Sequence, residues 1–464
     1  MVNLMGDNIL SEGIESLVKD PKALEDFSSD LETLMPRLES LAKGGRLVEA
    51  QEEALLLEKR ARVNYDGATV TKLITFILSM YFNRRDVDGL CEAFRLVLRR
   101  RGQLKRPSSE AVNQVITWLG DFPIPERRRV MDAVVAETSG KIFVEAERSR
   151  VRRLQAQLLE NEGKVEEAAE IMQEEQVEIC AGMDKREKTE YILEQMRLVL
   201  LKKDFIRLQI ISRKINPKML EADASIHDLK VKYYLYLVEY FIHEDDNFQV
   251  AESYKAIYST PHVTHSKETS DWLAPLEHAV LFALLAPQST AQQHFLHYLY
   301  ESKEVRRRLE QHAPAAHSLL KAWLDKYLVN WKQITHGLHK HAVLCEASRW
   351  DLLKRRVVQR NLVAVISVYY TRAQLPSLAL ILSVEVDLLE REIAELAADN
   401  KLYAKIDRPA GLVVFARPQS PQTELDAWAE NVHNMLDMLE SVGHLIDKER
   451  MVSAAKQKIE TIRT

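Results

Sequence analysis

The chain reads Gly163-Lys-Val-Glu-Glu-Ala168 at one point and Gly45-Arg-Leu-Val-Glu-Ala50 at another. Both stretches have a turn residue first, an apolar residue two positions later and a small residue five positions later. Asp246-Asn-Phe-Gln-Val-Ala251 keeps this spacing, and Arg85-Asp-Val-Asp-Gly-Leu90 and Lys203-Asp-Phe-Ile-Arg-Leu208 keep the turn and the apolar position. The five stretches begin 40, 78, 40 and 43 residues apart. The sequence therefore repeats with a period of about 40 residues, with one copy obscured near residue 124.

Each repeat is expected to be a pair of helices, because the turn reverses the chain and the small residue lets the second helix pack closely on the first. Around Gly163 the apolar residues have the spacing of two facing amphipathic helices: Leu154, Leu158, Leu159, Ala168, Ile171 and Met172. Such pairs bury their apolar faces by stacking on one another. We predict a mostly α fold, with a right-handed, TPR-like α-solenoid over residues 41–345 after a helical or weakly ordered segment, 1–40. A non-repetitive helical bundle is the alternative.

The composition supports long helices. Glycine and proline number 14 each among 464 residues, about 3% each, against average usages of about 7% and 5%. Since glycine supplies tight turns and proline breaks helices, this scarcity disfavours all-β folds and glycine-rich phosphate-binding enzymes. Apolar residues at 46% and charged residues at 29% are typical of a protein with a packed core.

The net charge, the cysteines and the apolar runs indicate which partners and which cellular compartment to expect. Its net charge is −5, so no overall positive field attracts nucleic acid or anionic lipid. The three cysteines show no Cys-x-x-Cys spacing, which favours a reducing compartment. The longest apolar run, Ala279 to Ala286, is far shorter than the roughly 20 residues that span a bilayer. We expect no signal peptide, and we expect a soluble intracellular protein without a membrane partner.

A different module is predicted over residues 346–418. A helical stretch, a short helix, a longer helix that Ser383 would cap, and two strands around a Pro- and Gly-containing loop follow one another: Trp350–Val368, Leu378–Leu382, Val384–Asn400, Leu402–Ile406 and Leu412–Phe415. The apolar face of the third helix is formed by Leu388, Leu389, Ile393 and Leu396. This order of three helices and a hairpin is that of a winged helix.

Winged helices often bind DNA through their third helix. Here that helix has a single basic residue, Arg391, and six acidic ones: Glu385, Asp387, Glu390, Glu392, Glu395 and Asp399. Because these carboxylates would repel phosphate, a nucleic-acid partner is disfavoured. The hairpin edge is instead a candidate for strand addition by a neighbouring protein, through Tyr403, Lys405, Ile406, Val413 and Phe415.

The last segment, residues 419–464, is predicted to be a helix with a heptad seam. Its apolar residues alternate at intervals of three and four: Leu425, Trp428, Val432, Met435, Leu439, Val442 and Ile446. A helix of this kind either folds back on its own module or docks into a bundle of helices from other chains. We favour docking, because the winged module already has core residues of its own.

Candidate catalytic chemistry is sparse. His336-Gly-Leu-His339-Lys-His341, followed by Ser348 and Asp351, resembles the zinc signature of the JAMM deubiquitinating proteases, but the serine comes one residue early. The histidines are also predicted to lie at the end of a helix that runs from Ala322 to Leu338. A zinc isopeptidase stays open as an alternative, while we predict no catalytic residue, no metal and no cofactor.

Three basic runs admit two interpretations. They are Arg99-Arg-Arg101 with Lys105-Arg106, Arg127-Arg-Arg129 and Arg306-Arg-Arg308. The first could be a nuclear-localisation signal or a nucleic-acid contact. A solvated face, or an electrostatic contact with an acidic neighbour, is the interpretation that the net charge favours.

A helical array that leads into a winged helix and ends in a helix resembles the PCI-domain proteins, the scaffold subunits of the proteasome lid, the COP9 signalosome and a translation-initiation factor. Several stretches resemble the family of the fifth non-ATPase subunit of the lid: Lys185-Arg-Glu-Lys188, Tyr191-Ile-Leu-Glu-Gln-Met-Arg-Leu198, Lys203-Asp-Phe-Ile-Arg207, Gln209-Ile-Ile-Ser-Arg-Lys-Ile-Asn216, Leu229-Lys-Val-Lys-Tyr-Tyr234, Tyr369-Tyr-Thr-Arg372, Lys405-Ile-Asp-Arg-Pro-Ala-Gly411 and Phe415-Ala-Arg-Pro418.

The resemblance implies a non-catalytic scaffold in the cytoplasm and nucleus. Its implied partners are the other PCI and MPN subunits of the lid, among them the lid deubiquitinase, and the ATPase ring. The winged helix would pair edge to edge with neighbouring PCI subunits, and the terminal helix would join a helical bundle. The segment from about 290 to 345 departs from the family pattern, so no function is carried onto it.

Overall fold

The computed structural model describes residues 23–178, 180, 182–265, 268–325, 327–331, 338, 341–416 and 421–463. The chain divides into two compact units, Met1–Phe282 and Ala283–Thr464.

Helices follow one another from Ser28 to Leu285. Their bounds are α1 Ser28–Lys43, α2 Leu47–Val63, α3 Gly67–Asn83, α4 Val87–Leu98, α5 Lys105–Trp118, α6 Ile124–Thr138, α7 Glu145–Asn161, α8 Val165–Gln173, α9 Lys185–Lys202, α10 Phe205–Ser212, α11 Pro217–Ala222, α12 His227–His243, α13 Asn247–Tyr258, α14 Pro261–Thr264 and α15 Thr269–Leu285. This succession of helices confirms the predicted helical repeat, and the connection between α5 and α6 falls next to residue 124, where the sequence obscured one copy.

The turns inside the pairs contain a residue in the left-handed conformation. The φ angles are 87° at Gly45, 56° at Arg85, 82° at Gly163, 61° at Lys203 and 57° at Asp245. A left-handed residue directly after a helix lets the following N–H groups bond back to the last carbonyls, which ends the helix. These turns fall where the sequence pattern predicted them.

The turn of one repeat contacts the turn of the next. The Arg84 guanidinium donates to the carbonyl oxygens of Ala42 (3.0 Å) and Gly45 (3.5 Å), about one period earlier. The Asp66 carboxylate caps α3 by accepting from the N–H of Thr69, and it also accepts from the N–H of Phe27, 39 residues earlier. The sequence period thus appears in space as contacts between equivalent turns.

The core of the array lies between paired helices. Side chains on the inner face of α3 are fully buried: Val70, Leu73, Ile74, Ile77 and Leu78. The small residues of the repeat pattern, Ala50, Ala168 and Ala251, have no exposed surface. Their burial confirms that small side chains allow the second helix of a pair to approach the first.

The second unit continues with shorter helices and a small sheet. Its elements are α16 Thr290–Glu301, α17 Lys303–His312, α18 Pro314–Leu324, α19 Ala347–Asn361, β1 Arg372–Gln374, α20 Leu375–Leu382, α21 Val386–Ala398, β2 Lys405–Asp407, β3 Leu412–Val414 and α22 Pro421–Arg463. One π-helical turn, Leu362–Ile366, and a last turn, Ser367–Tyr369, extend α19. The helix expected from Ala322 to Leu338 is not continuous, since α18 ends at Leu324 and residues 327–330 are not helical. Residues 332–337 of that prediction lie outside the described residues.

The winged module has two further differences from its sequence prediction. Ser383 has a φ of 55° and ends α20, whereas Glu385 precedes α21, so Ser383 is not the N-cap of the third helix. Of the predicted apolar face, Leu389, Ile393 and Leu396 are buried and Leu388 is 36% exposed. Leu388 is therefore not a core residue.

Candidate partner interfaces

The terminal helix α22 is exposed on all sides. Every side chain described between Pro421 and Ala455 is exposed. In the structure this helix does not fold back on its own module. Most helices in proteins are stabilised by packing of an apolar face, and in this structure no part of its own chain covers the described side chains of α22 up to Ala455.

The predicted seam lies on one face of α22. The exposed fractions are 63% for Leu425, 68% for Trp428, 40% for Val432, 64% for Met435, 58% for Leu439, 46% for Val442 and 54% for Ile446. Three further apolar residues at seven-residue spacing, Met438, Leu445 and Val452, are also exposed. They lie along one border of the seam, since Met438 follows Met435 by three residues and precedes Val442 by four. Sequence reasoning missed this second stripe, although its heptad spacing was visible.

The winged module has a three-stranded sheet in the order β1-β3-β2. The strand β3 is central, and Val413 and Phe415 are 0% and 5% exposed. The expectation that these two residues lie on an exposed hairpin edge is wrong, because β1, which the sequence did not predict, pairs with β3 on its second side. Lys405 is exposed, and Tyr403 and Ile406 are half-buried, on or next to the edge strand β2.

The acidic third helix is largely paired within its own module. Arg355 on α19 donates to Glu392 (2.6 Å) and Glu395 (2.9 Å) on α21. Glu392 is 1% exposed and also accepts from Gln359 at 2.7 Å. Since a buried carboxylate must be paired, these residues have a structural role that the charge count alone did not reveal.

Two further carboxylates, one in this helix and one directly after it, are also paired. Arg408 binds Glu390 at 2.6 Å and Lys401 binds Asp399 at 3.2 Å. The ion pair with Glu392 holds the pKa of Arg355 above its ordinary value, through the hydrogen bond it donates. The helix is thus less acidic towards solvent than its composition indicates.

Hydrogen bonds that the sequence did not reveal connect Trp323, Asp325, Tyr327 and Val329 to α19. Arg360 is 3% exposed and donates to the carbonyl oxygens of Trp323, Asp325 and Tyr327. The Asn361 amide pairs with both the N–H and the C=O of Val329, at 3.0 and 2.9 Å. Two neighbouring side chains thereby fix the chain that precedes the winged module. Burial lowers the pKa of Arg360.

The candidate zinc cluster mostly lies outside the described residues, which include neither His336 nor His339. His341 is described, and its Nδ1 accepts from the N–H of Val343 at 3.3 Å. Ser348 and Asp351 lie in the first turns of α19. Within the described part of the chain, no group of three or more His, Cys, Asp or Glu side chains has a metal-binding arrangement.

Several members of the basic runs form internal ion pairs. Arg99 binds the buried Glu137 at 2.7 Å, and Arg100 binds the buried Glu58 at 2.5 Å. In the other runs, Arg128 and Arg129 pair with Glu162 and Asp88, and Arg306 and Arg308 pair with Glu310 and Glu304. These contacts support the interpretation of the runs as contacts with acidic neighbours within the fold.

Two thiols are not activated for nucleophilic chemistry. Cys180 is 4% exposed, and burial raises its pKa to about 11. Burial also raises the pKa of the half-buried Cys91. Because the thiolate is the nucleophile, a raised pKa leaves these groups protonated and unreactive near neutral pH.

Among the described helices, none is long and apolar enough to cross a membrane.

A helical array, a winged module and an exposed heptad helix together define a PCI-type scaffold protein. Three family models match the chain: PSMD12/CSN4, N-terminal, over residues 49–266, the PCI domain over 324–417, and the 26S proteasome regulatory subunit RPN5 C-terminal domain over 425–454. The last of these coincides with most of α22.

Curated relatives match over nearly the whole chain. The 26S proteasome non-ATPase regulatory subunit 12 of Dictyostelium discoideum is 31% identical over 96% of this chain and 98% of its own length. The regulatory subunit RPN5 of Saccharomyces cerevisiae is 31% identical over 94% and 98%, and rpn501 of Schizosaccharomyces pombe is 32% identical over 88% and 92%. The chain therefore belongs to the family of 26S proteasome regulatory subunits called Rpn5 or non-ATPase subunit 12.

Proposed function

We propose that this chain is a non-catalytic structural subunit of the lid of the proteasome regulatory particle. In this role it supports lid assembly and positions the lid deubiquitinase and the ATPase ring for ubiquitin-dependent protein degradation. Its partners are other PCI and MPN subunits of the lid and the ATPase ring, in a hetero-oligomer found in the cytoplasm and nucleus. Membership of the Rpn5 family supports this proposal, and neither a nucleic acid nor a membrane is among the proposed partners.

The exposed seam of α22 is the observation that carries the proposal. Fully burying a Leu, Val or Met side chain contributes roughly 1.5–3 kcal/mol. The seam presents seven apolar side chains, each at least 40% exposed. Their 3-4 spacing matches the knobs-into-holes packing of helices against helices, so the partner surface consists of helices from other subunits.

The test is a double substitution in the seam, Val432→Asp with Leu439→Asp, in the tagged full-length chain. Two charges in the seam would be buried unpaired in a bundle, so the chain should stay folded but fail to enter the particle. A matched control, His433→Asp with His444→Asp, adds two carboxylates on the polar side of the same helix. Native purification followed by mass spectrometry measures incorporation. Retained incorporation of the seam variant counts against docking through α22.

A scaffold of the COP9 signalosome or of the translation-initiation factor is the alternative within the same class. The N-terminal family model covers PSMD12 and CSN4 together, whereas the model that matches α22 is specific to RPN5. The RPN5 match favours the proteasome. Recovery of signalosome subunits with the tagged chain, in place of lid and ATPase subunits, would overturn the assignment and leave the architecture intact.

The non-catalytic role is part of the proposal. The raised pKa of Cys180, about 11, supports it by removing one candidate nucleophile. A zinc isopeptidase centred on His339 and His341 is the competing hypothesis. Stoichiometric zinc in the purified chain, together with cleavage of an isopeptide-linked ubiquitin dimer, would replace the scaffold by an enzyme.

A further inference from the structure

A cavity of about 340 Å³ lies between α16, the end of α18 and the π-helical turn that extends α19. Pockets that hold small ligands begin at about 300 Å³. Two residues of the π-helical turn, Val363 and Ala364, line the cavity. Single π-helical turns within α-helices occur frequently at functional sites. The cavity is therefore a candidate binding site within the second unit.

The helix α16 contributes a buried amide to this cavity. Gln292 lines it and is 1% exposed. The Nε2 atom of Gln292 donates to the carbonyl oxygens of Ala283 at 2.6 Å and Ala286 at 3.2 Å. Its Oε1 atom accepts no hydrogen bond from any described residue. Since a buried acceptor without a donor is destabilising, Gln292 offers a position for an N–H or O–H group of a ligand.

A buried guanidinium contributes a donor to the same cavity. Arg360 lines it and is 3% exposed. A guanidinium has five N–H groups, and four of them have acceptors: the carbonyl oxygens of Trp323, Tyr327 and Asp325 and the Oδ1 atom of Asn361. One N–H on Nη2 is left without an acceptor among the described residues. The cavity thus has one open acceptor and one open donor, both on buried side chains.

The remaining walls and the charges define the class of ligand. Leu296 and Trp323 are 0% and 7% exposed, Val363 is half-buried, and all three line the cavity, so it accepts an apolar group. A cationic ligand would be repelled by Arg360, and an anionic ligand by Asp325, which also lines the cavity. The ligand that fits is neutral, with one donor, one acceptor and an apolar group.

We propose that this cavity binds an extended peptide segment of another chain, through main-chain amide groups and one apolar side chain. A peptide main chain is uncharged and supplies an N–H for Oε1 of Gln292 and a C=O for Nη2 of Arg360. The apolar side chain packs against Leu296 and Trp323. This site goes beyond the proposed function, which rests on the seam of α22.

The test uses acetyl-leucine methylamide as a probe of the purified full-length chain. Saturation-transfer difference NMR measures binding, and a Kd of roughly 1 mM is expected for a ligand with about 13 non-hydrogen atoms. Two ester analogues each replace one N–H of the probe by oxygen. One of them should bind about tenfold more weakly, because Oε1 of Gln292 then has no donor. Equal affinities of all three compounds, or no binding of the methylamide at about 10 mM, would overturn the proposal.

Two tryptophan substitutions locate the bound probe. Ala364 is exposed and lines the cavity, so Ala364→Trp should fill it and weaken binding about tenfold or more. Ala291→Trp is the matched control, because Ala291 is exposed on α16 and is not among the described residues that line the cavity. Thermal unfolding verifies that both variants fold. Unchanged binding to a folded Ala364→Trp variant would overturn the site, and the comparison of the esters, which uses the wild-type chain, decides the proposal if a variant does not fold.

Discussion

Glu160 on α7 and Arg197 on α9 form a two-pronged ion pair, with N–O distances of 2.6 and 2.5 Å, although they are 37 residues apart in the chain. Arg197 also binds Glu194 on its own helix at 2.6 Å. The hydrogen bonds from Arg197 hold the pKa of Glu160 below its ordinary value. Other pairs have similar separations: Arg99–Glu137, Arg150–Glu187 and Arg355–Glu392. Of these four pairs, the first three connect one helix pair of the array to the next, and Arg355–Glu392 connects two helices of the winged module.

Glu160→Gln should lower the free energy of unfolding by about 1 kcal/mol near neutral pH, the net worth of a charge-assisted hydrogen bond in a half-buried site. Because folding lowers the pKa of this carboxyl below 4.5, its contribution is complete above that pH and is lost as the pH falls through the folded-state pKa. Urea unfolding at neutral pH and at steps below 4.5 should show the wild-type advantage shrinking. A pH-independent difference would contradict the assignment, and Glu166→Gln, at an exposed position, is the control.

Arg360→Lys should destabilise the second unit by about 2–3 kcal/mol, because an ammonium cannot reproduce the planar fork that reaches three carbonyl oxygens, and buried carbonyls are left unpaired. Limited proteolysis should then cleave within residues 323–329 faster than in the wild type. Arg307→Lys, at an exposed position on α17, is the matched control and should be neutral. Equal proteolysis of both variants would show that these hydrogen bonds do not fasten this segment.

Gly45→Ala should lower stability by about 1 kcal/mol or more, because alanine is strained at positive φ. The φ is 87°, and an added Cβ would lie 3.2 Å from the Arg84 guanidinium. Gly443→Ala should act in the opposite direction, since no atom lies within 4 Å of the added Cβ and alanine favours a helix interior by about 1 kcal/mol. Chemical denaturation measures the first variant and far-ultraviolet circular dichroism the second. A stabilised Gly45→Ala variant would refute the role of this turn.

The seam double variant, Val432→Asp with Leu439→Asp, should keep the midpoint of thermal unfolding of the isolated chain within a few degrees of wild type, because both side chains are exposed. Leu389→Ala in the core of the winged module, at 0% exposure, should instead cost about 2–5 kcal/mol. A large loss of stability in the seam variant would mean that α22 is packed against its own chain in solution.

The helical repeat could be predicted because its signals are local. A left-handed turn, a small residue five positions later and apolar residues at helical spacing each specify structure within about ten residues. Gly45 and Gly163 therefore marked the turns correctly, and Ala50 and Ala168 marked the close contacts. The heptad seam of α22 was visible for the same reason.

Prediction from the sequence failed where the local structure depends on residues that are distant in the chain. The strand β1 has only three residues and forms because β3, 40 residues later, offers a free side. Ser383 resembles a helix N-cap in the sequence, yet it is left-handed and ends α20, and Glu385 precedes α21. Nothing in the local sequence distinguishes Arg360 and Asn361 from other polar residues of a helix. Their main-chain partners, at Trp323, Asp325, Tyr327 and Val329, lie more than 30 residues earlier in the chain.

The sequence by itself determined that the chain is built of helix pairs with a period of about 40 residues, followed by a winged module and a heptad helix, because periodic patterns encode local geometry. Only the tertiary structure decided that Val413 is buried and central, that Glu392 is paired with Arg355, and that α22 keeps its seam exposed. Each of these depends on which distant segment occupies the neighbouring space, and a pattern within one helix or strand contains no information about that neighbour.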